Sequence, residues 1–207
     1  PVLAGLALCS AVSARGAIET YDIDPVHSWL GFTVSHFFTQ VPGYFGGVNG
    51  TFVVDRDRPE NSRVYAVIEA ASITTNARKR DDDLRSTNFL AAATFPTICF
   101  KSTAWKSAGG IATYAVTGDL TIKGVKKEVV LRVASRGFGL GLKDASISGW
   151  EVSAVLDRRD FDIAAGQGVI GNTVEVLIFI EADLRAPTQI AVPAVKANAL
   201  LQREVAK

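Results

Sequence analysis

Apolar and polar residues alternate with a period of two along most of this chain. The clearest alternation lies between residues 110 and 137, where it is interrupted only by a glycine-containing turn at 123–126. Successive side chains of a β-strand point to opposite faces of the sheet, so this pattern predicts strands with one apolar and one solvated face. We interpret the stretch as a long antiparallel β-hairpin, a unit from which sandwiches and barrels are built.

Similar alternation predicts further strands on both sides of this hairpin. In chain order they cover residues 19–24, 28–38, 51–55, 63–73, 97–105, 146–157 and 173–184. The glycine-rich passage at 43–50 predicts a flexible turn region instead. About eight antiparallel strands must protect their edges, and full closure achieves this most simply. The sequence therefore predicts an all-β fold, an antiparallel eight-stranded barrel, and leaves open whether its interior is filled or hollow.

The parity of each strand also predicts which side chains face the interior. We expect an inward orientation for Phe32, Val34, Trp150, Val152, Val176 and Ile178. The residues expected to face water are Thr117, Asp119, Thr121, Glu175 and Glu181. A register slip of one residue would invert a whole strand, so these assignments are a sharp test of the pattern.

One segment, residues 76–86, breaks the β pattern. It lacks alternation and concentrates charged side chains, which predicts one short helical insertion across the end of the sheet. Thr75 or Asn76 is the expected N-cap, and Asp81 and Arg85 have the spacing of a favourable i,i+4 pair. The run 81–83 consists of three aspartates, which are candidate calcium or acid–base ligands. The flanking cations favour a charge-paired helix surface.

Composition narrows the function classes. The 207 residues fit one domain with appendages, and 22 Lys plus Arg balance 21 Asp plus Glu. Phosphate binding needs a basic excess on one face, so nucleic acid is not an expected partner. No nucleophile–base pair, C-x-x-C, G-x-S-x-G or phosphate-loop motif occurs. We therefore expect neither enzyme activity nor a cofactor.

The two ends of the chain differ from the alternating middle. A charge-free apolar run at 2–14 ends in Val12-Ser13-Ala14, the small-residue pattern that signal peptidase recognises. The run is too short to span a bilayer. We expect residues 1–17 to be the remnant of a secretory signal, 18–186 the barrel domain, and 187–207 a peripheral tail with a helix from Ala194. The protein is then periplasmic or secreted and not membrane-spanning.

Two histidines and three arginines are the candidate polar residues. His27 and His36 are the only histidines, and on one unbroken strand their separation would place them on opposite faces. No metal site is therefore predicted. His36 has the inward parity of Phe32 and is either a core histidine bonded to a carbonyl or a contact to a ligand. The arginines suit a carboxylate or pyrophosphate, but ion pairs to Asp81 or Asp160 explain them equally; they are Arg80, Arg85 and Arg158.

Several motifs of the chain occur together in one known family. In chain order they are Tyr21-Asp22-Ile23-Asp24-Pro25-Val26-His27-Ser28, Phe32, Ser35-His36, Gly50-Thr51-Phe52, Ser72-Ile73-Thr74-Thr75, Arg80-Asp81, Leu84-Arg85-Ser86, Phe89, Phe95-Pro96, Phe100-Lys101-Ser102, Gly118-Asp119-Leu120-Thr121-Ile122-Lys123-Gly124-Val125 and 158–161. With these motifs, residues 20–185 resemble the YceI-like family of bacterial periplasmic proteins. Near the expected pore mouth the chain departs from the usual family pattern at four positions. Asp83 stands where the family usually has histidine, Asn88 where it has aspartate, Leu90 where it has an aromatic residue and Asp162 where it has glycine.

The resemblance implies an extended, lipocalin-like barrel whose pore holds a long amphiphile, such as a polyisoprenoid or a fatty-acid-like lipid. Resemblance and parity together predict these ligand-binding residues: Phe32, Val34, His36, Phe38, Arg80, Arg85, Phe89, Trp150, Val152, Arg158, Phe161, Val176 and Ile178. An alternative function is a solid-core barrel that acts as a stress-related structural or interaction module without a lipid. The oligomeric state, a homodimer included, stays open.

Overall fold

All strand pairs of the fold are antiparallel and belong to a single sheet. The computed structural model describes residues 18–185. In chain order the strands are β1 (Glu19–Ile23), β2 (Trp29–His36), β3 (Thr39–Phe45), β4 (Val48–Val54), β5 (Arg63–Glu69), β6 (Ile73–Thr74), β7 (Thr97–Ser107), β8 (Thr113–Ile122), β9 (Val125–Leu140), β10 (Ser146–Asp157) and β11 (Ile170–Leu184). Within this range there is one α-helix, α1 (Arg78–Arg85).

The sheet closes because the last strand pairs with the first. Around the barrel the order is β1, β4, β5, β7, β8, β9, β10 and β11, and β11 returns to β1. The long β11 also pairs with β2, so β1 and β2 lie end to end along it. In the same way β4 pairs with β1 and β3 with β2. This closed, eight-stranded antiparallel barrel with one helix confirms the predicted fold class.

The break between β1 and β2 is built from residues that cannot continue a strand. Pro25 has no N–H to donate, and the Asp24 carboxylate accepts from the backbone N–H of Val26 at 2.7 Å, a local turn. The backbone of Asp24 remains attached to β11, because its N–H donates to the carbonyl of Glu181 at 2.9 Å. The hydroxyl of Ser28 accepts from the backbone N–H of Glu181 and donates to the Glu181 carbonyl, each at 3.3 Å.

Strand parity correctly separates the interior from the solvent face. All six residues expected to face inward do so, and Trp150 and Val152 are buried. On β11 the apolar residues of one parity line the interior, whereas Glu175 on the other parity is exposed. The remaining residues expected to face water also lie on the opposite parity to the lining residues; they are Thr117, Asp119, Thr121 and Glu181.

The glycine-rich passage at 43–50 is a connection only at Gly46 and Gly47, between β3 and β4, so the prediction of a turn region is right only in part. The rest of the passage is the end of β3 and the start of β4, where Gly43 and Gly50 mark close approaches. A side chain at Gly43 would place its Cβ 2.3 Å from the Phe32 ring, and one at Gly50 would lie 2.2 Å from the carbonyl of Tyr65. These glycines therefore make room for neighbours within the sheet, a known role of glycine in strands. Other strand ends also differ: β2 stops at His36, and β5 stops at Glu69.

The helix is confirmed, but the contacts predicted for it are wrong. It begins after Ala77, and neither Thr75 nor Asn76 caps it through its side chain. Asp81 is buried and accepts from the backbone N–H of Thr75 at 2.7 Å, from the Thr75 hydroxyl at 2.5 Å and from the Thr74 hydroxyl at 3.0 Å. The expected partner of Asp81, Arg85, instead lies 3.4 Å from Asp82. Two threonines just before the helix thus anchor it through Asp81.

The expected signal remnant at 1–17, residue 186 and the expected tail at 187–207 lie outside the described residues. Within the described residues, no helix combines the length and hydropathy needed to cross a membrane.

Candidate ligand cavity

An apolar cavity of about 320 Å³ lies inside the barrel. Every long strand contributes inward side chains to its wall, as parity requires. Representative lining residues are Leu30, Phe32 and Val34 from β2, Phe100 from β7, Leu120 from β8, Leu131 from β9, Val152 and Leu156 from β10, and Val174, Val176, Ile178 and Ile180 from β11. The barrel is therefore hollow in this region.

An aromatic cluster closes the barrel beneath the cavity. Phe52 and Trp150 stack with ring centroids 4.9 Å apart, and Trp105 and Phe138 meet the Trp150 ring edge-on at 6.1 Å and 5.6 Å. Above Phe138, the Arg56 guanidinium lies 4.0 Å from the ring centroid. Phe52, Trp105 and Trp150 are each at most 3% exposed. We call these four rings the aromatic floor.

The cavity opens at the opposite end of the barrel, beside α1. Arg80 and Asp83 of this helix line the cavity and are also exposed, so the cavity reaches solvent between them. The wall is incomplete at this end, because residues 39–43 of β3 pair with β2 but with none of the other described strands. His36 and Thr75 also line the cavity here. The cavity thus has an apolar body and a polar mouth.

Arg158 lines the cavity, but its guanidinium is already occupied. It donates to the carbonyls of Ile163 (2.9 Å), Ala165 (2.6 Å), Ile170 (3.1 Å) and Gly171 (2.9 Å). Burial lowers its pKa, and it makes no salt bridge with Asp160 within the described residues. The predicted ion pair to Asp160 is therefore wrong, and only one N–H of five stays available to a ligand. Arg158 fixes the loop that covers this side of the mouth.

The other two predicted arginines differ in position. Arg80 lines the cavity and donates through Nε to the Thr75 hydroxyl at 2.7 Å and through Nη2 to the Thr75 carbonyl at 3.1 Å. Its Nη1 has no hydrogen-bond partner among residues 18–185. Arg85 does not line the cavity; it donates to the carbonyls of Ala71 and Ile73 at 2.7 Å and 2.6 Å. Of the three arginines, Arg80 has the most donors free at the mouth.

His36 lies at the cavity mouth and is not a bonded core histidine. Its side chain lines the cavity, and its ring meets the edge of Phe37 at 4.9 Å. No hydrogen bond joins its imidazole to another of the described residues, so the predicted carbonyl partner is absent from that range. An imidazole with both nitrogens unpaired can donate to or accept from a ligand.

Two predicted site residues besides Arg85 do not line the cavity. Phe38 shares the parity of His36 but falls in the turn after β2, where its side chain is fully exposed. Trp150 points inward as predicted, but belongs to the aromatic floor. The remaining predicted aromatic residues, Phe89 and Phe161, are buried and line the cavity.

Sequence reasoning missed several lining residues near the mouth. Val41 and Phe45 of β3 line the cavity. They share one strand parity with Gly43, but the glycines of this segment interrupt the apolar alternation that would have marked them. Leu84 and Leu90 line it from α1 and the segment that follows. Nothing in the local pattern marks these last two, because they lie outside any strand.

The two histidines do not meet, and His27 lies outside the cavity. Its Nδ1 is 2.6 Å from Asp24 and 3.6 Å from Glu181, and together the three are the one group of metal-type ligands among the described residues. The hydrogen bond to Asp24 raises the pKa of His27 and lowers that of Asp24. None of the three lines the cavity, and their contacts fasten the β1–β2 break to β11.

A closed antiparallel barrel with an apolar cavity, an aromatic floor at one end and a polar mouth at the other defines a lipocalin-like barrel. The chain belongs to the YceI family: the model of the YceI-like domain matches residues 21–182. Among its curated relatives, UPF0312 proteins of Photorhabdus laumondii and Ectopseudomonas mendocina are 34% and 36% identical to it. Each alignment covers 86% of this chain and 92% and 95% of the relative.

Solved structures share the fold at low sequence identity. Burkholderia cenocepacia BcnA superposes with a TM-score of 0.70 at 21% identity, over 77% of this chain and 98% of that one. A polyisoprenoid binding domain from Saccharophagus degradans, implicated in plant cell wall breakdown, gives a TM-score of 0.60 at 18% identity, over 80% and 98%.

Proposed function

We infer that this protein is a non-enzymatic carrier that holds one long-chain amphiphile, a polyisoprenoid or a fatty-acid-like lipid, in the barrel. The observation that carries the proposal is the cavity itself: about 320 Å³ bounded almost entirely by aliphatic and aromatic side chains. Concave apolar sites with a few polar groups are the usual form of small-molecule sites. The polyisoprenoid binding domain with the same fold supports the choice of ligand class.

The closed floor and the open mouth favour a ligand with one apolar and one polar end. Each buried methylene is worth about 0.8 kcal/mol, so about ten carbons give about 8 kcal/mol before the cost of immobilising the ligand. That cost removes much of the gain, so about ten carbons alone give weaker than micromolar binding, and a longer chain is needed to reach the micromolar range. The hydrocarbon would lie against β10 and β11, with its end above the aromatic floor.

The mouth favours a polar end of low charge. His36 and Nη1 of Arg80 can bond the ligand, whereas Asp83 adds a negative charge beside the cation. A pyrophosphate would be repelled by Asp83 and would find Arg158 already bonded. A hydroxyl, carbonyl or single carboxylate fits this arrangement better.

We also propose that the protein works in the periplasm or is secreted. The charge-free run at 2–14 and its small-residue end support this location. Expression in a Gram-negative host followed by intact-mass analysis of the periplasmic protein tests the proposal. We expect a mature N-terminus between Arg15 and Ile18, and periplasmic material that retains residues 1–14 would contradict it.

Two measurements test the binding function. Mass spectrometry of an organic extract of the purified protein should reveal a co-purified lipid. Val176→Trp should abolish the binding of a fluorescent fatty acid or isoprenoid analogue, because Val176 lines the cavity. Leu177→Trp is the matched control, since Leu177 is 40% exposed on the outer face. Unchanged binding by folded Val176→Trp protein, without a co-purified lipid, would favour the alternative structural or interaction module.

A further inference from the structure

The turn between β2 and β3 exposes two adjacent phenylalanines. Phe37 is 63% exposed and Phe38 is completely exposed. Beside them Val169 is 37% exposed, and its carbonyl accepts from the Phe37 N–H at 3.0 Å. A single exposed apolar residue needs no explanation, but three grouped at one projecting point form an apolar patch. We call Phe37, Phe38 and Val169 the aromatic tip.

The backbone of the aromatic tip is strained as well as exposed. Phe37 has φ of 49°, in the left-handed region where glycine and asparagine are favoured. The Phe37 ring meets the His36 ring at a steep angle, with centroids 4.9 Å apart. Phe37 therefore has a strained backbone although its side chain is largely exposed. Strain held at an exposed residue is a pointer to function.

The two chain segments that carry the aromatic tip are uncharged, whereas the charged residues Arg80 and Asp83 of α1 lie at the same mouth. No Asp, Glu, Lys or Arg occurs in residues 28–54, which include β2 and β3, or in residues 163–174, which include the loop carrying Val169. Charged groups resist transfer into a lipid interface because they lose hydration. A surface of aromatic, aliphatic and neutral polar residues enters the interface without that cost.

The aromatic tip lies at the open end of the cavity. His36, the residue before it, lines the mouth and pairs with Ile170, which also lines the cavity. We propose that the aromatic tip inserts into the interface of a lipid bilayer and holds the cavity mouth against the membrane. This inference rests on the proposed function, because a long-chain amphiphile resides in bilayers and must pass between bilayer and cavity.

The uncharged segments that carry the aromatic tip make the mode of membrane contact specific. Attachment through apolar insertion does not depend on anionic lipids and resists salt, unlike attachment through a polybasic surface. The full chain should therefore float with neutral phosphatidylcholine vesicles at low and at high salt. Flotation only with anionic vesicles and only at low salt would overturn the proposal.

Phe38→Ser and Leu142→Ser form the matched pair of variants. Phe38 does not line the cavity, and Leu142 is 91% exposed in the loop between β9 and β10, at the end of the aromatic floor. We expect Phe38→Ser to reduce vesicle partitioning about tenfold or more. Leu142→Ser should partition like the unmodified protein. Equal partitioning by the two variants, or a loss in Leu142→Ser alone, would contradict the proposal.

A second pair of variants reports the depth of insertion directly. In Phe38→Trp the added indole should shift its emission to shorter wavelength when vesicles are added, whereas the indole of Leu142→Trp should not. Phe37→Asn relieves the backbone strain, so it should melt at an equal or higher temperature and still lose vesicle binding. No emission shift in Phe38→Trp would contradict insertion even if the serine variant fails to fold.

Solution binding of a fluorescent lipid analogue separates this inference from the proposed function. Phe38→Ser should retain that binding while losing vesicle binding. A protein that binds the analogue but no vesicles would refute the membrane contact alone. A protein that binds vesicles through the aromatic tip but no analogue would refute the carrier function alone.

Discussion

Phe52 and Trp150 lie face to face across the barrel, with ring centroids 4.9 Å apart and planes 9° from parallel. They come from β4 and β10, which are not neighbours in the sheet, so the contact spans the lumen. Trp105 and Phe138 complete the same layer. The floor therefore joins opposite walls and determines how far a ligand can enter.

Truncation of this floor should lower stability markedly. Trp150→Ala removes a buried ring from the layer, and we expect a loss of about 3–5 kcal/mol in the free energy of unfolding, measured by urea denaturation. Trp29→Ala is the control, because Trp29 is 44% exposed on the outer face and stacks on Phe179 at 6.0 Å. Equal losses in the two variants would contradict a special role of the floor.

Removal of the Asp81 carboxylate should loosen the helix. Burial raises the pKa of this group, but hydrogen bonds from Thr75 and Thr74 outweigh it and lower the pKa. Asp81→Ala leaves buried donors unpaired, which costs about 2 kcal/mol at neutral pH. Asp82→Ala should cost less than about 0.5 kcal/mol, since the ion pair of Asp82 with Arg85 is exposed. Thermal unfolding of both variants decides between a buried anchor and a surface charge.

The Asp81 contribution also has a definite pH dependence. A lowered folded-state pKa means that the stabilisation is present above the ordinary value of 3.8 and disappears as the pH falls through the folded-state value. The difference in unfolding free energy between the unmodified protein and Asp81→Ala should therefore shrink on acidification. A constant difference down to strongly acidic pH would contradict the assignment.

Arg158 should be irreplaceable by lysine. A lysine ammonium has three donors and no planar fork, so it cannot satisfy the four carbonyls that Arg158 bonds. We expect Arg158→Lys to cost about 2 kcal/mol and to speed amide hydrogen exchange in residues 163–171. Arg159→Lys is the control, because Arg159 is exposed and forms an ion pair with Asp157. Unchanged exchange in Arg158→Lys would show that another contact holds the loop.

His27 should titrate above the ordinary histidine value of 6.5, because Asp24 stabilises its protonated form. Its contribution to stability is then present below pH 6.5 and disappears as the pH rises through the folded-state pKa. NMR titration of the His27 ring measures this pKa, and Asp24→Asn should lower it. Glu181→Gln should have a smaller effect, since Asp24 is the main cause of the shift. A His27 pKa unaffected by Asp24→Asn would contradict the pairing.

Strand parity predicts which side chains face the interior, because the apolar side chains must be buried on one face of each strand. Val176, Ile178 and Val152 alternate with polar neighbours along strands whose one face is dry, so their orientation follows from the sequence alone. The same reasoning fails for β3, where Gly43 takes an inward position because the Phe32 ring occupies the space of a side chain. Phe32, the neighbour that requires the glycine, lies on β2, so the residue pattern of β3 alone cannot reveal this requirement.

Hydrogen bonds made outside the regular elements, and one turn, explain the other failures. The spacing of Asp81 and Arg85 fits a helical pair, but Thr74 and Thr75 offer Asp81 buried donors that the spacing cannot reveal. The sequence shows which arginines are present but not which of their donors are already hydrogen-bonded. Arg158 donates to four carbonyls, whereas Nη1 of Arg80 has no partner among the described residues. Phe38 has the parity of His36 but lies in a turn that local alternation does not detect.

Pairing of the first strand with the last has a consequence for folding kinetics. Tyr21 pairs with Leu184, so the ring of hydrogen bonds cannot close until nearly the whole domain has been synthesised. Contacts between such distant residues require the closure of very long loops, and topologies rich in them fold slowly. Until then β1 and β10 expose unpaired edges that can join other chains. Nascent chains that end before residue 170 should accordingly need a chaperone to avoid aggregation.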